Sequence, residues 1–367
     1  MTQDVGSDLD RIEHYDFELP KELIAQSPLS NREDARLMAI SRTSRELEHW
    51  HIRDLDCVLR PNDCLVLNDT KVIPAKLVGH RQKTGGRWQG LVMDTDTNGN
   101  WRLLAKTRGR IKTGETVILE DREGKPRLTL QLHARLDDGS WVAKVQTNER
   151  LGITDEDLQR SSNEWLDVVG RIPLPHYIRG GNMVDADVGD YQTIFAKSPG
   201  AIAAPTAGLH FTEALFQRMI ERGIKITSVT LHVGIGTFRP VTVSSLGDHK
   251  MHSEFGTLSQ PTVEAIRETK QAGGRVIAVG TTAVRVLETA AQSGSLNAWQ
   301  GETDLFIQPG FKFNVIDGLL TNFHLPRSTL IVLVRAFGGD ALVKHAYRMA
   351  VDEKYRFFSY GDAMLIT

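Results

Sequence analysis

Four short stretches concentrate the side chains that chemistry needs. Leu231-His-Val-Gly-Ile-Gly-Thr-Phe238 ends an apolar run with the imidazole of His232, followed by Gly234, Gly236 and the hydroxyl of Thr237. Alternation puts Val229, Leu231 and Val233 on one face of this run and Ser228, Thr230 and His232 on the other, so the second face reads as cleft wall. Ala203-Ala-Pro-Thr-Ala-Gly-Leu-His-Phe-Thr212 brings Thr206, Gly208 and His210 to the entry of a helix, where small side chains let a ligand approach the backbone. Arg275-Val-Ile-Ala-Val-Gly-Thr-Thr282 is an apolar strand ending in Gly280, Thr281 and Thr282 ahead of another helix. Such a turn either receives an anion on its free N–H groups or spends a threonine on capping the helix. It is neither a Walker loop nor a complete G-x-G-x-x-G fingerprint. Asn322-Phe-His-Leu-Pro-Arg327 sets an amide and an imidazole, Asn322 and His324, at a strand end, where α/β folds place ligands.

Two further clusters admit two readings each. His249-Lys-Met-His252-Ser-Glu254 has the imidazole, imidazole and carboxylate of a zinc or iron set, or is a polar loop that binds substrate or caps a helix. Arg102, Lys106, Arg108, Arg110 and Lys112 fall within one stretch that contains no acid. They either track a phosphate backbone or form a solvated face.

The elements that must position these residues change texture along the chain. Between about Ala75 and Val145, short alternating runs (Trp88–Met93, Trp101–Ala105, Thr116–Leu119, Arg127–Ala134, Trp141–Val145) are separated by turn clusters, with no helix between them. That predicts a small all-β barrel over 75–150. It interrupts a domain made of 1–74 and 151–367, where strands and helices alternate. Helices are expected over Glu213–Arg222 with Thr212 as cap and Gly223 as stop, then Val263–Ala272, Ala283–Ala291, Ser328–Phe337 and Ala341–Tyr355. Strands are expected at Cys64–Asn68, Ile224–Val233, Arg275–Val279, Asp304–Ile307, Leu319–Phe323 and Ala363–Ile366. The fold class is α/β: a mostly parallel sheet, barrel-like or open, with an inserted all-β barrel.

Composition excludes several classes. In 367 residues, 40% are hydrophobic and 25% charged, which supports a packed core and argues against disorder. No apolar run approaches the roughly 20 residues of a membrane span, and the polar start does not read as a signal peptide. Two cysteines, Cys57 and Cys64, stand outside redox and metal spacings. The chain reads as cytoplasmic. A net charge of −2 argues against a protein that coats nucleic acid at large and leaves room for a local basic patch.

The stretches Val66–Leu77, Ala203–Thr212, Leu231–Pro240, Ala278–Glu288, Leu320–Leu330 and Tyr355–Ile366 together resemble the S-adenosylmethionine:tRNA ribosyltransferase-isomerases of queuosine biosynthesis. The resemblance runs in family order from about Tyr15 to Ile366. Lys71 and Lys76 stand where arginine is more familiar, and His176 interrupts a Pro-Leu-Pro-Pro-like run; charge survives at the two lysines, bidentate geometry does not.

The resemblance implies a monomer that moves the ribosyl part of S-adenosylmethionine onto 7-aminomethyl-7-deazaguanine, the wobble base of the tRNAs for Tyr, His, Asn and Asp. The product is epoxyqueuosine, and adenine and methionine leave. S-adenosylmethionine is consumed as co-substrate, so neither a metal nor an organic cofactor is expected. The acid–base work falls to His210, His232, His252 and Glu254, with Asp69 behind them, and base and acid are not told apart. Asn68, Thr206, Gly208, Gly234, Gly236, Thr237, Gly280, Thr281, Thr282, Asn322 and His324 are expected to bind substrate. Arg102, Lys106, Arg108, Arg110 and Lys112 are expected to bind tRNA. A tRNA-positioning protein without chemistry, and a small-molecule enzyme that binds phosphate at Gly280–Thr282, are the competing readings.

Overall fold

Cys64–Asn68 reads Cys-Leu-Val-Leu-Asn, and all five residues are buried. A short strand covered on both faces belongs in the middle of a layered α/β sheet. The computed structural model describes residues 9–234, 236 and 243–367. They divide into two units. The larger takes the chain through Lys71 with His176–Gly180 and Gly189–Thr367; the smaller takes Val72–Pro175 and Gly181–Val188.

The larger unit is built on nine strands: β1 (Arg36–Ile40), β2 (Leu47–His51), β3 (Cys64–Asn68), β4 (Lys225–Leu231), β5 (Glu254–Leu258), β6 (Val276–Val279), β7 (Trp299–Thr303), β8 (Gly318–Asn322) and β9 (Ala363–Ile366). Their order across the sheet is β7-β5-β4-β3-β6-β8-β9-β1-β2. The four central strands β4, β3, β6 and β8 are mutually parallel. β9 also runs parallel to β1, whereas the β5–β4, β7–β5, β8–β9 and β1–β2 pairs are antiparallel. The sheet is therefore open and mixed, not mostly parallel. No helix crosses over between β4 and β5 among the described residues, and a parallel neighbour needs such a crossover.

Five helices cover the two faces: α1 (Glu213–Glu221), α2 (Gln260–Gln271), α3 (Thr281–Ala290), α4 (Thr329–Gly338) and α5 (Asp340–Asp352). Val66, Val229, Leu231 and Ala278 share a core with Val263 and Ile266 of α2 and Ala283, Val284 and Leu287 of α3. On the other face Leu65, Leu67, Ile277 and Val279 pack with Leu215 and Met219 of α1. Thr212 caps α1 through the N–H of Leu215 at 3.1 Å, as its sequence predicts. The strand expected at Asp304–Ile307 is displaced to β7. At its end the Thr303 carbonyl, and past it the Leu305 carbonyl, accept from the Arg285 guanidinium at 2.9 and 3.2 Å, so the backbone leaving β7 bonds to a side chain.

Asp63, 1% exposed, anchors the amino ends of β3 and β6 together. It accepts from Arg275 Nε at 3.1 Å and Nη2 at 2.6 Å, and from the N–H groups of Arg60 and Arg275. A buried carboxylate is tolerated because every bond it needs is made.

In the smaller unit six antiparallel strands pair in the order Lys76–Arg81, Arg87–Thr95, Asn100–Thr107, Trp141–Gln146, Pro126–Arg135 and Thr116–Glu120. Thr116–Glu120 pairs back with Lys76–Arg81 through Gly79↔Leu119 and joins the two ends of the order into a ring. Trp88, Trp101, Leu103, Leu119 and Leu130 fill it. This unit ends later than the sequence predicts. Ile153, Trp165, Leu166 and Val169 belong to the same core, the last three from a helix over Ser162–Val169, and Gly170–Arg171 pairs with Lys76–Leu77. Residues 151–175 thus follow their apolar side chains into the β unit.

Ring closure demands a missing side chain at one point: a Cβ on Gly79 would lie inside contact distance of the Ile118 carbonyl. Gly79→Ala should therefore cost about 1–3 kcal/mol, the usual penalty of overpacking, read as a lower denaturant midpoint for the β unit. Wild-type stability in that variant would show that the ring does not close there.

Candidate active site

The carboxyl ends of β4, β3, β6 and β8 lie side by side, and a row of three strand spacings spans about 14 Å. β3 delivers Asn68, which is 1% exposed. Its Oδ1 accepts from Leu231 N at 3.0 Å and Thr70 N at 3.2 Å; its Nδ2 donates to Leu231 O and to Thr282 Oγ1, both at 3.1 Å. One amide thus ties β3 to the end of β4 and to the first turn of α3.

Beside it, Gly280 sits at φ +85°, a conformation that favours glycine, and forms the N-cap of α3. No side chain caps this helix, because the cap position is a glycine; Thr282, inside the first turn, accepts from Asn68. Gly280 N donates to Leu320 O at 2.8 Å, and the N–H groups that follow it at the helix entry are of the kind that suits an anion or a partially negative oxygen. Ala207 lies against it: a Cβ on Gly280 would come within 3.6 Å of the Ala207 Cβ.

His232 follows β4, on the half-buried face of Ser228 and Thr230. Its Nδ1 is 2.8 Å from Thr70 Oγ1, which leaves Nε2 for a substrate. Burial lowers its pKa from the usual histidine value, and the charge of Asp69 opposes that shift only in part. Asp69 itself accepts from Thr230 Oγ1 at 2.7 Å and Ser228 Oγ at 3.0 Å. The neutral form of His232 is accordingly favoured, with a carboxylate nearby.

Beyond β8, Asn322 accepts from Thr206 Oγ1 at 2.9 Å and donates to His210 Nε2 at 3.3 Å, so the proton of His210 resides on Nδ1. Burial, with the nearby Arg32 and Arg356 charges, pushes the His210 pKa down to about 4. A cavity of about 20 Å³ adjoins it, lined in part by Arg32, Asp190, Arg356 and Tyr360.

The other expected site residues are placed differently. His324 bonds to Thr321 Oγ1 and, through its N–H, to the Tyr347 hydroxyl; burial pushes its pKa down to about 3. Gly208 leaves room for Phe195, whose Cζ would lie 2.7 Å from a Cβ there. Glu254 is taken up by Arg285 and by Gly234 N at 2.8 Å, which makes it the clamp of the 234 turn. Gly236 lies against the His252 ring, and Thr237 lies outside the described residues. His249 packs edge-on to Phe306, and Glu254 is engaged with Arg285. Among the described residues, no group of three His, Cys, Asp or Glu converges on a point.

In the β unit, Arg102 is neutralised by Asp138 at 2.6 Å and Asp94 at 3.5 Å. Lys106, Arg108, Arg110 and Lys112 are exposed. The Arg108–Lys112 turn is held from beneath: Arg81 donates to the carbonyls of Arg108 and Arg110, and Glu115 accepts from Lys112 N. Sequence reasoning did not single out Thr70, Arg285 or Phe255. Thr70 follows Asn68-Asp69 directly and was readable as part of that strand end; the other two carry no local signal.

Residues 12–366 match the family described as queuosine biosynthesis protein, and the chain belongs to that family. It is 46% identical over 359 residues to an S-adenosylmethionine:tRNA ribosyltransferase-isomerase of Halothermothrix orenii, covering 97% of this chain and 99% of the relative. An enzyme of the same name from Staphylococcus epidermidis is 44% identical with the same coverage. Among solved structures, the crystal structure of an S-adenosylmethionine tRNA ribosyltransferase from Thermotoga maritima is 35% identical. It covers 96% of this chain and 100% of that one, with a TM-score of 0.54.

His210 generates a prediction about stability. Its pKa is about 6.5 in the unfolded chain and about 4 in the fold, so below pH 6.5 the unfolded state binds the extra proton and stability falls as pH drops toward 4. Denaturant unfolding at pH 7 and pH 4.5 should show His210→Gln losing about 2–3 kcal/mol less than the wild type over that interval. Parallel losses would place His210 in water.

Proposed function

We propose that the chain transfers and isomerises the ribosyl moiety of S-adenosylmethionine onto 7-aminomethyl-7-deazaguanine at the wobble position of tRNA for Tyr, His, Asn and Asp. Epoxyqueuosine forms, and adenine and methionine depart. The reading is supported by the family and by one structural observation: a neutral imidazole with one unengaged nitrogen, His232, stands in a row of strand ends beside an uncapped helix entry.

The reaction needs a proton taken from the carbon next to sulfonium, a neutral amine to attack, and help for departing adenine. His232 Nε2 is the group assigned to the first, since Thr70 fixes the ring and burial keeps it unprotonated near neutral pH. Asp69 stabilises the imidazolium once the proton has moved. The N–H groups of Thr281 and Thr282 face developing negative charge on the opened sugar or the departing group. Sulfonium supplies the activation, so turnover is expected to survive exhaustive chelation without added cofactor. The exposed cations of the β unit take tRNA phosphates, and the enzyme works in the cytoplasm as a monomer.

Wild-type protein should move label from the ribose of S-adenosylmethionine into tRNA; no transfer would overturn the assignment. His232→Asn should lower kcat by about 10²–10⁴ with S-adenosylmethionine affinity kept. Because the His232 pKa lies below the ordinary value, the acid limb of kcat/KM should fall below pH 6.5 in the wild type. Replacing Arg108, Arg110 and Lys112 together by Ala should weaken tRNA binding and flatten its salt dependence by about 0.7–0.9 in log–log slope per lost contact. S-adenosylmethionine titrations should not change. An unaltered slope would make this run a solvated face.

A further inference from the structure

Phe255 follows Glu254 in β5, and its side chain is 41% exposed. A single exposed apolar residue is ordinary on a protein surface. Its surroundings are not ordinary. The ring lies nearly parallel to the His232 imidazole, at an interplanar angle of 11° and a centroid distance of 6.5 Å. The His232 N–H donates to the Phe255 carbonyl at 2.9 Å, so the two residues stand opposite each other on neighbouring strands. Gly200 bounds the same imidazole: a Cβ there would come within 2.9 Å of its Nδ1.

The backbone that carries Phe255 is fixed on both sides. Glu254 is clamped by Arg285 and Gly234 N, and Phe255 and Gly256 pair with Glu302 and Gly301 of β7. The ring's exposed surface is apolar and stands beside the His232 imidazole. An aromatic face in a polar cleft offers stacking to any planar heterocycle without demanding a particular hydrogen-bond pattern.

We propose that Phe255 is the stacking platform for a planar heterocycle of the substrates, holding the reacting group next to His232. The proposal rests on the function proposed above, whose substrates carry two such heterocycles, the adenine of S-adenosylmethionine and the 7-deazaguanine of tRNA. Both offer the same chemistry to the ring, and the experiment separates them.

Full-length wild type, Phe255→Leu and Phe255→Tyr are titrated calorimetrically with S-adenosylmethionine and with a synthetic anticodon stem-loop carrying the aminomethylated base. Leucine preserves apolar packing on His232 and removes the π face; tyrosine keeps both. Phe255→Leu should lose about tenfold in affinity for one ligand, while Phe255→Tyr stays within about threefold of wild type. Loss confined to S-adenosylmethionine assigns the platform to adenine, and loss confined to the stem-loop assigns it to the deazaguanine. Unchanged affinities in Phe255→Leu, or equal losses in both variants, would overturn the proposal. A wild type that binds both ligands but transfers no ribose sinks the proposed reaction alone, with the platform still judged by the titrations. A wild type that binds neither ligand sinks both.

Discussion

The arrangement hangs on the side chain of Asn68. A primary amide offers two donors and an acceptor oxygen with two lone pairs, and at this buried position all of that capacity is spent on neighbours. Leaving such a group unsatisfied away from water costs about 1–3 kcal/mol per lost partner, so the strand ends it touches are pinned strongly. Asn68 fixes where β4 stops, which places His232. It donates to the hydroxyl of Thr282, which ties the first turn of α3 to β3. It also receives the N–H of Thr70, whose own hydroxyl orients His232. A leucine of similar volume would fill the space and make none of these bonds.

Burial, more than opposite charge, sets the protonation states around this row. His210, His232 and His324 are all shifted toward the neutral form, and desolvation is the leading cause at each. They differ in what else they touch. His324 is enclosed by its own strand end and Tyr347; His210 is bonded through Asn322 and has arginines nearby; His232 alone has a carboxylate neighbour that offsets part of the burial. A proton taken up at His232 is therefore easier to hold for a moment than one at the other two. The ion pair of Glu254 with Arg285 has a positional role. Both residues are buried, and together they tie β5 and Gly234 to the middle of α3.

Much of this was legible in the sequence, for reasons that are local. The apolar/polar alternation of Ser228–Val233 placed His232 on the open face, and Gly280 before two threonines marked a special turn. The β texture of 75–150 was readable because period-2 runs between turn clusters have few alternatives. What was not legible depends on residues far apart in the chain. Glu254 looked like a candidate base because Arg285, its partner, lies on a later helix. Arg102 looked like a member of the basic run because Asp94 and Asp138 reach it only through strand pairing. Residues after 151 were assigned to the α/β part with the alternating elements that follow them, whereas the core contacts of Trp165 and Leu166 assign that stretch to the ring. Antiparallel flanks escaped notice because periodicity carries no strand direction.

The central position of β3 has a consequence for how the molecule comes into being. Both its sheet neighbours lie far downstream, beginning at Lys225 and Val276. The antiparallel ring of the β unit, by contrast, forms from hairpins between consecutive strands or nearly so, and such local pairings form fast. During synthesis Cys-Leu-Val-Leu-Asn must therefore wait, emerged and unpaired, while the whole β unit is made and closes on itself. An uncharged segment whose first four residues are apolar is the kind that joins a neighbour on another chain when its own partners are late. The segment most exposed to misassembly on the ribosome thus carries the amide that organises the row of strand ends, and delay in folding and loss of that row have one address.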